Sequence, residues 1–325
     1  RGGVGAKAAS TRDQDFIEHV FVATNHQYML FFTEQGRCFW MRVFEIPEGT
    51  RQSKGRAIQN LINLPQDDKV LAFINVLNLK DEEYINNHYI VMCTKQGIIK
   101  KTSLEAYSRP RVNGINAITV REGDTLLEAK LTNGEQDIML AVKSGKAIRF
   151  PEIKVRSMGR NASGVRAITV NGENDEVVGM IVVEEGDGFD VMVVSEQGYG
   201  KRSALEDYRI TNRGGKGVKT ITVTDKTGEL VSLKAVTDED DLMIITKKGT
   251  MIRMGVDTLR VMGRATQGVR LITLRKGDEI ASIAKVPASD EEEDQLMDTE
   301  GVTNTTNSDA PAAAAEGGEE STSEE

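Results

Sequence analysis

A glycine-rich loop returns along this chain at a nearly constant interval, and a fold must accommodate that period before anything else. Gly5, Gly55, Gly114, Gly164, Gly217 and Gly268 stand 50, 59, 50, 53 and 51 residues apart. Four residues before five of them comes an arginine, at Arg1, Arg51, Arg160, Arg213 and Arg264, and the exception has Pro110 between Arg109 and Arg111. Lys7, Arg166, Lys219 and Arg270 follow the glycine by two residues, and Ile118, Ile168, Ile221 and Ile272 follow it by four. Charge, turn and core are thus repeated together. A chain of 325 residues could hold two ordinary domains, but a self-similar period of about fifty argues for one array of units.

A second landmark fixes what each unit contains. Turn glycines at Gly36, Gly97, Gly145, Gly198 and Gly249 precede the next loop glycine by 19 residues in four cases and 17 in the other. Apolar runs lie before them at 28–32, 89–93, 138–142, 190–194 and 242–246, of strand length and rich in β-branched or large residues. Further runs at 177–183 and 229–235 bring each unit to about four short strands, which predicts an all-β, propeller-like array over residues 1–288. Helical periodicity is nowhere sustained, so 103–107 and 203–208 are expected to form a turn of helix at most. The interval of 59 is assigned to a longer polar hairpin loop around 79–87, since loops absorb insertions at little cost. The loop at Arg1–Gly5 has no turn-glycine hairpin ahead of it, so the first unit is incomplete unless that hairpin lies upstream. The chain opens on Arg1 rather than methionine and reads as a piece of something longer.

Net charge is −9, but the 50 acidic residues divide unevenly: 13 lie from Ser289 onward, where no basic residue occurs, and 37 face the 41 lysines and arginines of the remainder. A mildly basic body therefore carries a strongly acidic tail. The tail, 289–325, is too poor in apolar residues to offset the entropy of folding and is expected to be disordered. Cys38 and Cys93 lie in apolar runs without metal-ligand spacing and read as reduced core thiols of a cytosolic protein. No run approaches a membrane span or a signal peptide.

No P-loop is present, since none of the Gly-Lys pairs is followed by Ser or Thr with the required glycine upstream, and His19, His26 and His88 make no ligand or nucleophile–base pattern. Carboxylate clusters such as 237–241 fall at turns and read as solvated. No active site, metal or cofactor is therefore expected within the fragment. Cations displayed on permissive loops are expected instead. Glycine lets backbone approach a phosphate closely, and arginine offers a permanently charged fork. The loop set comprises Arg1, Gly2, Gly3, Gly5, Lys7, Arg51, Lys54, Arg160, Arg166, Arg213, Gly214, Gly215, Lys216, Gly217, Lys219, Arg264 and Arg270. A hairpin column, Lys101, Arg149, Arg202 and Arg253, follows the turn glycine by four, with Lys201 beside it. Edge strands also carry such residues to discourage edge pairing. The register of the loop arginines instead favours a belt that holds duplex DNA by its phosphates. Curving 20–30 base pairs by 40–90° costs about 1–6 kcal/mol, which a ring of contacts can offset.

The loop TNRGGKG at 211–217, the opening RGGVG at 1–5, and the phrases EQGYGKRSALEDY at 196–208, VRSMGRNASGVRAI at 155–168 and VMGRATQGVRLI at 261–272 resemble the C-terminal domain of DNA gyrase A subunits. The similarity runs from Arg1 to about Val286. It implies a six-bladed β-pinwheel, propeller-like with hairpins exchanged between neighbouring blades, that wraps DNA on its rim. The enclosing enzyme would then be an A2B2 type II topoisomerase, using ATP and Mg in the cleavage core and the B subunit to supercoil DNA in the bacterial cytoplasm and nucleoid. By place, the family's seven-residue box corresponds to Arg1, Gly2, Gly3, Val4 and Gly5, with Val4 where a cation is expected. The internal copy keeps Arg213, Gly214, Gly215, Lys216 and Gly217 but has Thr211 and Asn212 where the family has Gln and a basic residue. The rival readings are the equivalent domain of topoisomerase IV and a protein-binding propeller scaffold.

Overall fold

The computed structural model describes residues 23–49, 53, 55–172, 174–184, 186 and 188–287. The chain divides into a unit spanning Arg1–Pro287 and a second, Ala288–Glu325, which lies wholly outside the described residues, as does the expected acidic tail.

Five antiparallel sheets form among the described residues. Each is built on a hairpin: Tyr28–Thr33 with Arg37–Arg42, Tyr89–Thr94 with Ile98–Ser103, Asp137–Val142 with Lys146–Pro151, Asp190–Ser195 with Tyr199–Ala204, and Asp240–Thr246 with Met251–Gly255. The turn glycines have left-handed backbone, and Gly145 shows why. Its φ is +80°, and a Cβ there would lie 2.7 Å from the carbonyl oxygen of Ile221. Thr220 donates its backbone N–H to the Gly145 carbonyl at 2.8 Å, so the turn is gripped by the loop that follows the next hairpin.

Against the first strand of each hairpin lies an inner strand: Val70–Val76, Leu126–Thr132, Val177–Val183, Leu230–Val236 and Ile280–Pro287. Against the second lies a two-residue outer strand, and this short strand is exchanged, where whole hairpins were expected to be; each hairpin stays within its own sheet. Ile115–Asn116, which follows the second hairpin, pairs with the first; Val165–Arg166 pairs with the second hairpin, Val218–Lys219 with the third and Val269–Arg270 with the fourth. The fifth sheet has three strands among the described residues. Six units were expected and five sheets are found; the unit expected around Arg1–Gly5 falls outside the described residues.

Stacking explains why the first strand of each hairpin carries an unbroken apolar run. Alternate residues of a strand point to opposite faces, and here both faces are covered. In the second sheet Ile90 and Met92 pack with Leu30, Phe32 and Ile74 of the first, while Val91 and Cys93 pack with Ile138, Leu140 and Phe150 of the third. The pattern repeats between the third and fourth sheets, around Val191 and Val193, and between the fourth and fifth, around Leu242 and Ile244. Fully burying each such side chain stabilises the fold by about 1.5–3 kcal/mol. The first sheet's remaining face, Met29, Phe31 and Phe39, is covered by Ile62 and Leu64. Cys38 and Cys93 are buried in these layers, and desolvation pushes both thiols up.

Each hairpin runs directly into a 3-10 turn, as at Leu104–Tyr107 and Leu205–Asp207, which agrees with the expectation of a turn at most. The long interval differs from expectation. In place of a polar loop, Glu82–Asn87 forms a short α-helix, because Asp81 accepts the Tyr84 backbone N–H at 3.0 Å as its N-cap and Ile85 buries against the core.

Candidate nucleic-acid interface

The exchanged strands place the loop cations. At Gly217 the chain must pass so close to the third hairpin that a Cβ would lie 2.5 Å from the Ala147 carbonyl oxygen, at a φ of +73°. Two residues on, Lys219 sits exposed at the end of the outer strand, and Arg166 and Arg270 hold the same place on the second and fourth sheets. These three project from successive sheets in one register. Arg270 donates to the Tyr199 hydroxyl at 2.9 Å and lies over its ring, which fixes its direction.

The arginines four residues before the loop glycines have a role that the sequence did not disclose. Arg160 donates to the carbonyl of Asn116 at 3.2 Å, Arg213 to that of Arg166 at 3.0 Å and Arg264 to that of Lys219 at 2.7 Å. Each acceptor ends the exchanged strand of the preceding loop, so each guanidinium straps one loop to the one before. Arg213 also donates to Lys154 O and Arg264 to Asp207 O. Their charge stays at the surface, Arg213 exposed and Arg160 and Arg264 half-buried.

The hairpin column does not form an open belt. Arg149 is held by Asp137 at 2.8 Å, Arg253 by Asp241 at 2.6 Å, and Arg202 by Asp238 at 2.5 Å with Asp190 at 3.6 Å. Lys101 is buried, 3.5 Å from Glu152 and over the Tyr89 ring. The reason is register: Asp137 stands directly opposite Pro151, two residues past Arg149, and such diagonal neighbours are within reach of long side chains. An aspartate eight residues before the turn glycine, at Asp137, Asp190 and Asp241, was the signal that would have revealed these pairs. The 237–241 cluster is accordingly structural rather than merely solvated.

Lys201 and its neighbour in the repeat, Lys100, point inward. Lys201 donates to Gly263 O at 2.7 Å, and Lys100 donates to Ala117 O and Arg160 O. Burial lowers Lys100 to about 7, helped by the Arg160 charge, and Lys201 to about 8. They hold loops in place rather than face solvent.

Between the loop 211–217 and the edge of the third hairpin lies a cleft of about 280 Å³, bordered by Tyr208, Arg209, Gly215, Lys216 and Gly217. Gly214, like Gly217, has left-handed backbone. Arg1, Gly2, Gly3, Gly5, Lys7, Arg51 and Lys54 lie outside the described residues. Among the described residues no three His, Cys, Asp or Glu side chains converge as metal ligands, and no helix is long and apolar enough to cross a membrane.

The same division into units appears in known proteins. A family described as the DNA gyrase C-terminal domain, a β-propeller, matches residues 27–85, 88–133, 136–184, 190–237 and 240–287, one segment per sheet. The DNA gyrase A protein of Staphylococcus aureus strain NCTC 8325 is 41% identical over 309 residues, covering 95% of this chain and 34% of that protein. The chain thus spans about a third of the length of the curated relatives it matches. Among solved structures, the C-terminal domain of a DNA topoisomerase IV superposes with a TM-score of 0.72 at 23% identity, covering 86% of this chain and 85% of that one. A DNA gyrase A C-terminal domain superposes at 0.69 and 21% identity, covering 86% and 91%. Both likenesses concern the fold.

Proposed function

The chain belongs to the DNA gyrase C-terminal β-propeller family, and from that premise we propose that it wraps duplex DNA along the outer edges of its sheets within a gyrase A polypeptide. The observation that carries the reading is the register of exposed Arg166, Lys219 and Arg270 on successive exchanged strands. Contacts of this type bind phosphate without reading sequence, and their number sets how much bending they can offset. In the holoenzyme the wrapped segment is presented for strand passage, and ATP and Mg act in the cleavage core and the B subunit of an A2B2 complex in the bacterial cytoplasm. No cofactor is assigned to this domain. The acidic stretch 289–325 competes with DNA for the same cations.

A sixth blade is supported by the two ends of the array. Turn glycines Gly36, Gly97, Gly145 and Gly198 each press on the loop that clamps them, whereas a Cβ on Gly249 would meet nothing within 4 Å among the described residues. Loop glycines Gly114, Gly164, Gly217 and Gly268 each press on a hairpin, and a Cβ on Gly55 would likewise meet nothing among the described residues. An edge awaiting an outer strand at one end and a loop awaiting a hairpin at the other are what one further unit would complete. The segment in register for the edge Met251–Gly255 is Ala6–Lys7.

The test is to bind the chain to nicked circular DNA, seal the nick, remove the protein and read the linking number. A shift that grows with protein and disappears at high salt supports chiral wrapping. Salt-sensitive binding with no shift would overturn wrapping and favour the behaviour of a topoisomerase IV type of domain, to which the fold is equally similar.

A further inference from the structure

The inner strands carry charges where the hairpins they pair with are apolar: Glu128 and Lys130 on the second sheet, Lys234 on the fourth and Lys285 on the fifth. Register sets their levels. Lys130 stands opposite Val91 and Lys234 opposite Met192, each the third residue of its hairpin, so the two lysines lie at one level with the third sheet between them. Two residues away Glu128 stands opposite Cys93, and at that level the third sheet has Gly179. Gly179 has no left-handed backbone, yet a Cβ there would lie 3.2 Å from Leu233 Cβ, so the third and fourth inner strands are pressed together. The charges of Glu128, Lys130 and Lys285 all act on Lys234 across the inner edge of the array. Two of the lysines are answered: Lys130 lies 3.6 Å from Glu128, and Lys285 lies 3.5 Å from Asp240. Lys234, half-buried, has neither a hydrogen bond nor an ion pair among the described residues. Burial lowers its pKa, opposed by Glu128 and helped by Lys130 and Lys285. An ammonium group withdrawn from water beside two others is costly until an acceptor reaches it.

We propose that the inner edge of the array seats a small phosphate-type anion between Lys234 and Lys130. Lys234 supplies the free ammonium group, and Lys130, 41% exposed, turns from Glu128 to share the ligand. Glu128 and Asp240 set against Lys130, Lys234 and Lys285 leave a single positive charge unanswered, that of Lys234, which the anion neutralises. Inorganic phosphate and the phosphate groups of a free nucleotide share this chemistry. The seat lies on the inner strands, whereas Arg166, Lys219 and Arg270 project from the outer ones, so it is independent of DNA wrapping. A dianion bound there ties the second sheet to the fourth.

The test titrates the full chain with inorganic phosphate against chloride at constant ionic strength, reading binding by phosphorus NMR line broadening, with thermal melting alongside. Phosphate should bind saturably and raise melting by mass action. Lys234→Met keeps the length of the side chain, relieves the buried charge and so folds, and should weaken phosphate binding by about tenfold or more, the contribution of one charge-assisted hydrogen bond. Glu128→Gln removes the competing carboxylate and should tighten binding by about two- to fivefold. Lys80→Gln, at an exposed lysine outside the inner strands, should leave it unchanged. Phosphate also strengthens folds generally by exclusion from their surface, so the melting increment that counts is the part lost in Lys234→Met. A nucleoside triphosphate in a parallel titration separates the two sources: binding tighter than that of phosphate, and lost in Lys234→Met, assigns the seat to a nucleotide. Binding that does not saturate, that survives Lys234→Met or that Glu128→Gln weakens would overturn the seat, whatever the chain does with DNA.

Discussion

Replacing Glu152 by alanine should be among the most destabilising single changes in this chain. Its carboxylate is fully buried, where it accepts the backbone N–H groups of Gly134 at 2.9 Å and Gln136 at 3.0 Å and the Thr132 hydroxyl at 2.8 Å. The Lys101 ammonium lies 3.5 Å away, itself only 8% exposed. Lys101 and Thr132 belong to the second sheet and Glu152 follows the third hairpin, so one carboxylate ties two units. Its removal leaves a hydroxyl and two amides without their acceptor and a buried cation without its counter-charge, held only by the Glu152 backbone carbonyl at 3.3 Å. Breaking a buried ion pair from one side costs about 3–5 kcal/mol, and water entering the space moderates the further loss from the amides. Urea unfolding followed by Trp40 fluorescence gives the readout, because the single tryptophan donates its indole N–H to Tyr107 O across the first and second sheets. The double variant Lys101→Met, Glu152→Ala removes the stranded cation and should be more stable than Glu152→Ala alone, a non-additivity expected only of coupled groups. A loss under about 1 kcal/mol, or a double variant no better than the single, would refute a closed junction between these sheets.

Gly217→Ala should destabilise by about 1–3 kcal/mol in the same assay, since it needs left-handed backbone and thrusts a methyl at the Ala147 carbonyl, whereas Gly215→Ala should stay within about 0.5 kcal/mol. Lys219→Gln or Arg270→Gln should each lower the salt slope of DNA binding by about 0.9 and leave melting unchanged, while Arg149→Gln, which breaks the Asp137 pair, should lower melting and leave the slope. Lys100 binds its proton less tightly folded than unfolded, so the unfolded chain holds more protons between about pH 7 and the ordinary lysine value, and stability should rise with pH there. Melting measured upward from about pH 7 should show that rise, and Lys100→Met should flatten it.

How much of this could be read beforehand depended on how far apart the interacting residues lie. Turn glycine, apolar run and loop glycine are local, so the strand at Val177–Val183 and the starts of the hairpins at Tyr28, Tyr89 and Asp190 could be placed from pattern alone. The helix at Glu82–Asn87 could have been placed as well, since Asp81 followed by Glu82 and Glu83 is an N-terminal helix signal that the polar composition masked. The exchange of outer strands was not legible from residues. Val218–Lys219 follows its own hairpin closely and lies more than one repeat from the preceding one, yet only the stacked arrangement sends it to Ala147.

The cations make the same point about function. Arg149 and Arg213 look alike in sequence, each in register with its repeat, yet one is neutralised and the other is not. The difference is a partner's location. Asp137 is 12 residues from Arg149 across a hairpin whose register the turn glycine already fixes, so its pairing is implicit in the spacing. Arg213 reaches a carbonyl 47 residues away, a partner that exists only after two units have stacked. A backbone carbonyl satisfies hydrogen bonds but leaves the net charge in place, whereas a carboxylate removes it. The loop column therefore presents positive charge outward while strapping the units together, and the hairpin column commits its charge to the sheets. Binding to a polyanion should in consequence follow the loops, and cohesion of each sheet should follow the hairpin pairs, two properties that substitutions in this chain can separate.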